Sequence, residues 1–273
     1  AMSIIPEKGE VMNEELLLTV KDGIATITIN RPDQRNAVTY DMWKRLGEYM
    51  TELGNDSDVR VVIVRGAGAA AFSAGADIAE FEEQRSNSIL ARKYHVAVEE
   101  ALESVAHFPK PTIAMVAGYC VGGGLELATG ADLRIAADNS RFGIPTAKLG
   151  IFMPYREMFQ LVRLVGAGRA LDMLLTARLV DADEAAQIGL VSRLVPLAEL
   201  EQHTYQVAAE IASYAPLSHR WHKQVLEMII RNPGLDGLTP EQADLPFACF
   251  DTEDFQEGRR AFLEKRKPEF RGR

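Results

Sequence analysis

Two short stretches of this 273-residue chain hold residues whose types and spacing could do chemistry, "FSAGAD" at 72–77 and "GGGLEL" at 122–127. Each is a turn of small residues directly after a run that reads as a strand. At the helix start that follows such a turn, backbone N–H groups lack intrahelical partners and carry the positive end of the helix dipole. Donors from two such turns can converge on one oxygen. If that oxygen is a carbonyl gaining negative charge, the pair forms an oxyanion hole, and only glycine or alanine leaves room for the approach. The same glycines would equally serve tight strand–helix packing, so the pattern alone leaves both readings open. Glu126, in the first turns after the glycines, reads as an acid–base group or as a carboxylate placed to favour the dipole.

The elements that must position these groups can be read along the chain. "LLLTVKDGIATITIN" contains two strand-like runs around Lys21-Asp22-Gly23, a hairpin signal. Thr39 is an N-cap for a helix whose apolar Met42, Leu46, Tyr49, Met50 and Leu53 recur at helical spacing up to Gly54. "VRVVIVRG" (59–66) reads as a buried strand, "GAGAAAFSAGAD" as a loop and 78–107 as mostly helix. "KPTIAMVAG" then supplies a strand, the glycines a turn, "LELATGA" a helix and "DLRIAA" another strand. Repeated strand–helix units indicate α/β. A helix runs from Tyr155 to about Val165, "DADEAAQIGL" starts another, and beyond Leu197 the chain reads as amphipathic helix. The expected organisation is a flexible leader over 1–15, an α/β core over 16–197 and a helical region over 198–273 whose apolar stripes meet another subunit.

Composition narrows the function. A net charge of −9 argues against nucleic acid as partner, since that requires a dominant basic field. No run approaches the length of a membrane span, so no membrane partner is expected. Two distant cysteines, Cys120 and Cys249, give no disulfide framework or metal motif and fit a reducing cytoplasm. Neither GxSxG nor GK[ST] occurs, which argues against serine hydrolases and P-loop enzymes. The five histidines form no ligand pattern, and His219-x-x-His222 reads as surface helix, so no metal site is expected.

From about Leu16 to Arg273 the chain resembles the crotonase superfamily, the enoyl-CoA hydratase/isomerase family. The carriers are "NRPDQRNAV" (30–38), "FSAGADI" (72–78), "KPTIAMVAGYCVGGGLELATGADLRIA" (110–136), "FGIPTAKLGI", "TARLVDADEAAQIGLVSRLV" and "EGRRAFLEKRKPEF" (257–270). The resemblance implies a spiral of ββα units with a C-terminal helical trimerisation region, assembled as a homotrimer or homohexamer. It implies an acyl-CoA ligand whose thioester carbonyl sits between two backbone N–H groups, assigned by motif to Ala74 and Gly123. No cofactor is implied, CoA being part of the substrate.

The resemblance also implies substrate-binding positions. Arg35 and the loop holding Ala76, Asp77 and Ile78 flank the nucleotide end of CoA, Gly122 and Thr146 touch the substrate, and Phe262 with Lys265 reach CoA from the adjacent subunit. Hydratases of this family use two glutamates around a water. Glu126 matches the first, but the second position is Thr146, which cannot act as a base at neutral pH. Where a "PGxGG" turn is usual, this chain has "MPYREM" (153–158), bringing Tyr155 and Glu157 as second-rank acid–base candidates, which read first as ordinary helix-start residues. The expected function is enolate chemistry on an acyl-CoA with Glu126 as acid–base group. A decarboxylase, a thioester hydrolase and a non-catalytic acyl-CoA binder of the same superfamily are the alternatives.

Overall fold

The computed structural model describes residues 15–273, so the leader expected over 1–15 lies, Glu15 apart, outside the described residues. The chain opens with β1 (Leu16–Lys21) and β2 (Ile24–Ile29), an antiparallel pair turned at Asp22 and Gly23, both with positive φ as a tight primed turn requires. Helix α1 (Tyr40–Asn55) follows, its first turn capped by Thr39 Oγ1 accepting from Met42 N at 3.3 Å. Then come β3 (Val61–Gly66), β4 (Ala71–Ser73), α2 (Phe81–Gln84), α3 (Ser88–Ala106), β5 (Thr112–Val116), β6 (Tyr119–Val121) and α4 (Gly123–Gly130). After these run β7 (Leu133–Ala137), β8 (Arg141–Gly143), α5 (Tyr155–Thr176), β9 (Val180–Asp181), α6 (Ala182–Gln187) and β10 (Arg193–Val195). Four helices close the chain: α7 (Leu200–Ala212), α8 (Pro216–Arg231), α9 (Pro240–Ala248) and α10 (Glu253–Glu264).

The strands separate into two sheets. A six-stranded sheet has the order β1-β2-β3-β5-β7-β10 and is parallel beyond the first hairpin. A four-stranded sheet has the order β4-β6-β8-β9. Successive pairs β3/β4, β5/β6 and β7/β8 each give their first strand to the larger sheet and their second to the smaller before a helix follows, so the chain climbs as a spiral. The stretch "GAGAAAFSAGAD" (66–77), expected to be a plain loop, therefore contains β4, which pairs with β6 through Ala71 and Ser73.

Both faces of the larger sheet are covered, which is why its strands are apolar at consecutive positions. On β3, Val62 and Val64 join the main core with Trp43, Leu46 and Leu125, while Val61 and Ile63 join a second cluster with Leu200, Val207 and Ala208 of α7. The boundary expected at residue 197 thus falls before a helix that packs on the sheet. The helices after α7 are more loosely attached: Lys223 Nζ of α8 donates to Lys110 O at 2.9 Å and to Asp132 Oδ2 at 2.6 Å. The helix expected from Tyr155 to Val165 stops there because Gly166, at φ 75 and ψ 161, breaks α5 into two helical stretches.

The end of β4 packs against the start of α4 with no spare space. A Cβ at Gly124 would lie 2.5 Å from Ser73 O and 2.7 Å from Ser73 Cβ. At its far end α4 is held by buried Arg134, which donates to Ala131 O at 2.6 Å and to Leu190 O at 2.7 Å. Alanine favours helix over glycine by about 1 kcal/mol, yet Gly124→Ala should destabilise the chain by about 1–3 kcal/mol because overpacking outweighs that gain. Urea unfolding checks this, and an unchanged or higher stability would contradict the close packing of α4 on β4.

Candidate active site

The segment 30–38 laces the 73–77 loop into one conformation. Asn36, itself at positive φ, donates from Nδ2 to Ala71 O at 2.6 Å, and its carbonyl accepts from Ser73 Oγ at 2.7 Å. Along the loop Ala74 N donates to Arg35 O at 2.9 Å, Gly75 N to Ser73 Oγ at 3.0 Å and Asp77 N to Val38 O at 3.0 Å. Of these four consecutive N–H groups only that of Ala76 has no acceptor among the described residues. Ala74 was the donor expected from the motif; its N–H is spent on the Arg35 carbonyl, and the unpaired donor lies two residues later.

The second turn presents its donor beside the first. Gly122, at φ 56 and ψ −128, lets the chain enter α4 abruptly, and its own N–H goes to Gly143 O at 2.9 Å. Gly123 is the first residue of α4 and precedes the first intrahelical bond, which Glu126 N donates to Gly122 O at 3.0 Å, so its N–H is a helix-end donor without an intrahelical acceptor. A Cβ at Gly75 would come within 2.9 Å of Gly123 N, and one at Gly123 within 3.6 Å of Ala76 N. The unpaired N–H groups of Ala76 and Gly123 are therefore neighbours.

Both line a cavity of about 170 Å³ together with Gly122, Glu126, Thr146 and Glu157. Glu126 stands three residues along α4 from Gly123, hence on the same helix face. Glu157 comes from the first turn of α5, is buried, and has an Oε2 without a hydrogen-bond partner. Burial, reinforced by the charge of Glu157, pushes Glu126 up to about 8, with Arg85 pulling the other way. Burial pushes Glu157 upward as well. Ile78, Leu149, Ile151 and Phe152 form an apolar, largely exposed rim, and Trp43, Tyr94 and Val98 part of the wall. Two adjacent backbone donors beside two carboxyl groups can stabilise charge on a carbonyl oxygen and move protons at carbons next to it.

Several expected site residues are elsewhere. Tyr155 precedes Glu157 by two positions, points away and is 87% exposed, so it is not a wall residue of this cavity. Arg156 likewise turns outward to Glu99 and Glu103, each at 2.7 Å. Asp77 is engaged structurally, accepting from Ala79 N at 3.0 Å and pairing with Arg31 at 2.8 Å. The guanidinium of Arg35 lies over the Tyr119 ring, and Phe262 and Lys265 are exposed on α10 and at its end, outside the cavity lining. Conversely, Trp43, Phe81, Arg85, Tyr94 and His95 line the cavity and were not singled out in the sequence; the helical stretch 79–107 gives no signal of which side chains turn inward.

With this geometry the relationship to known proteins is direct. The profile of the enoyl-CoA hydratase/isomerase family matches residues 19–273. The chain belongs to that family. A short-chain-enoyl-CoA hydratase of Clostridium acetobutylicum is 38% identical over 254 residues, 93% of this chain and 96% of that protein. A crotonyl-CoA hydratase of Syntrophomonas wolfei is 37% identical, covering 94% of this chain and 98% of its own. The crystal structure of an enoyl-CoA hydratase/carnithine racemase from Magnetospirillum magneticum matches with a TM-score of 0.91 and 40% identity over 95% of this chain and 96% of that one. The α/β crotonase fold expected from the motifs is the fold observed.

The raised carboxyl has a measurable consequence in this family member. A group whose pKa rises on folding keeps its proton in the folded chain at pH values where the unfolded chain has released it, so its contribution to stability falls as pH rises from the ordinary carboxylate range towards 8. Glu126→Gln, which cannot ionise, should gain stability relative to the natural chain by about 1–2 kcal/mol between pH 5.5 and 7.5. Urea titrations of both proteins at the two pH values measure this difference of differences. A difference that is flat or of opposite sign would mean that Glu126 ionises normally.

Proposed function

We propose that this protein is an enoyl-CoA hydratase acting on a short acyl chain, with Glu126 and Glu157 as its pair of acid–base carboxyls. The observation that carries this reading is the meeting of both carboxyls in one cavity beside the unpaired N–H groups of Ala76 and Gly123. The thioester oxygen of the substrate accepts from those two N–H groups. As charge develops on that oxygen in the enolate, the donors stabilise it without reorganising.

Hydration needs one group to take a proton from water and another to give a proton to the α-carbon. The coupled pair does both while holding a single proton between its members. The ionised carboxyl accepts the proton of the attacking water, whose oxygen bonds to the β-carbon as the C=C electrons move into the enolate. The protonated carboxyl then delivers its proton to the α-carbon and restores the thioester carbonyl. The second carboxyl expected at position 146 is thus supplied from α5, while Thr146 serves as a polar wall residue. Crotonyl-CoA and CoA esters of similar length suit a cavity of this volume. The similarity to proteins named short-chain-enoyl-CoA and crotonyl-CoA hydratases supports the same choice. Such chemistry uses no cofactor beyond the CoA of the substrate.

Loss of a positioned acid–base group removes roughly 10²–10⁴-fold in rate. Glu126→Gln and Glu157→Gln should each lower kcat for crotonyl-CoA hydration by that amount, followed by loss of enoyl thioester absorbance. Full activity in Glu157→Gln would remove Glu157 from the mechanism, and no hydration by the natural protein would remove the reading itself.

The same proposal includes self-association. Helices α8 to α10 and the turn between them expose Leu226, Phe247, Phe250, Phe262 and Leu263, a concentration of large apolar side chains that another copy of the chain would cover. In a homotrimer or homohexamer, Phe262 and Lys265 would complete the CoA site of a neighbour. Light scattering should give a trimeric or hexameric mass at micromolar concentration, and a stable monomer would refute the assembly.

A further inference from the structure

The cavity contains one charge that hydration of a simple enoyl chain does not use. Arg85, immediately after α2, lines it along with Glu126 and Glu157. Its guanidinium lies over the ring of Phe81 at 4.5 Å and over that of Tyr94 at 5.1 Å. Ring faces attract the cation without accepting its in-plane N–H groups. Arginine has five such donors in a fixed fork, and among the described residues none of the Arg85 side-chain donors is hydrogen-bonded and no carboxylate pairs with it. Other arginines near the site are committed: Arg31 to Glu15 and Asp77, and Arg156 to Glu99 and Glu103.

The carboxyls of the cavity do not fill this role. Neither lies within ion-pair distance of Arg85, and both hold their protons more tightly than an ordinary carboxyl. A guanidinium in a partly closed cavity with no ion-pair partner among the described residues favours an anion that arrives with the ligand, and its fork matches a carboxylate bidentately.

We propose that Arg85 is a specificity residue that receives a carboxylate at the far end of the acyl group, so that the preferred substrates are short acyl-CoA thioesters carrying a second, terminal carboxylate. The inference rests on the acyl-CoA reading above and narrows it. The thioester end is held at the Ala76 and Gly123 N–H groups, the acyl chain passes Glu126 and Glu157, and its terminal carboxylate meets the stacked guanidinium. Crotonyl is a neutral acyl group, so this chain would differ in acyl preference from the relative named for it.

Binding of saturated thioesters, which have no C=C to hydrate, tests the assignment separately from catalysis. Calorimetry compares succinyl-CoA with butyryl-CoA and glutaryl-CoA with pentanoyl-CoA, pairs of equal carbon count that differ in the terminal carboxylate. The natural protein should bind at least one carboxylated member about 10-fold or more tightly than its neutral partner, the scale of a charge-assisted pair. In Arg85→Ala that ratio should fall to about one, and in Arg85→Lys, which keeps the charge without the fork, it should lie between. No preference in the natural protein, or a preference that survives Arg85→Ala, overturns the proposal while leaving the acyl-CoA reading in place. Equal weakening of all four ligands in Arg85→Ala would assign the guanidinium to CoA itself and overturn it too. Failure of all four to bind the natural protein overturns the acyl-CoA reading and this proposal with it.

Discussion

The close approach of the 73–77 loop to the start of α4 is the constraint on which the site depends. Gly75 and Gly124 sit where a Cβ would come within 2.9 Å of Gly123 N and 2.5 Å of Ser73 O. No side chain other than hydrogen allows these backbones to lie so near, and only that nearness makes two unpaired N–H groups adjacent. The two sheets serve this contact. β4 and β6 pair in parallel, so the turns that follow them emerge side by side at the same end of the smaller sheet. Segment 30–38 then fixes the loop by taking the N–H groups of residues 74, 75 and 77, directly or through the Ser73 hydroxyl it anchors, and that of Ala76 stays unpaired among the described residues. The positive φ values at Arg35 and Asn36 belong to that clamp.

A second constraint is electrostatic. Two carboxyls share one small cavity, one of them buried with an unpartnered oxygen; burial raises the cost of ionising both, and the charge of Glu157 adds to that of Glu126. A fold selected for stability alone would not keep Glu157 there, since an apolar residue of similar size would avoid the desolvation. The two acids come from different elements, α4 and α5, each anchored independently. Arg134 secures the end of α4, and the contacts of Arg156 with Glu99 and Glu103 tie the first turn of α5 to α3. Arg156 therefore acts on the site from outside, by fixing the turn from which Glu157 points inward.

Much of this was legible in the residues, and the parts that were not have a common cause. The Asp22-Gly23 hairpin, the Thr39 cap and the end of the helix before Gly166 are local, and each is written in a few adjacent residues. Strands β4, β6 and β8 are three residues each, too short for any periodicity, and they exist because they pair with one another. Helix α9 lies within the region read as helix beyond Leu197, and its capping box at Thr239 and Gln242 is the local signal that marks its start despite Pro246 within it. In the site, the glycine segments and Glu126 could be found from sequence. Which N–H of the loop remains unpaired depends on the Arg35 carbonyl, almost forty residues away, so the donor falls at Ala76 where the motif alone pointed to Ala74.

The relation between Thr146 and Glu157 carries this further. Thr146 opens a short 3₁₀ turn at the cavity wall, and Glu157 stands in the first turn of α5, yet both side chains border the same space. A carboxyl removed from one wall can thus be supplied from another without altering the backbone donors beside Gly123. Chemistry in this fold is set by side chains placed around a fixed electrostatic centre. The centre itself is backbone and tolerates almost no substitution, whereas the walls around it belong to separate elements and can change one at a time. In this chain the walls combine a threonine at 146, an acid at 157 and an aromatic-stacked arginine at 85. Under the proposed reading, reaction type and acyl specificity are decided by residues outside the glycine motifs through which the family is recognised.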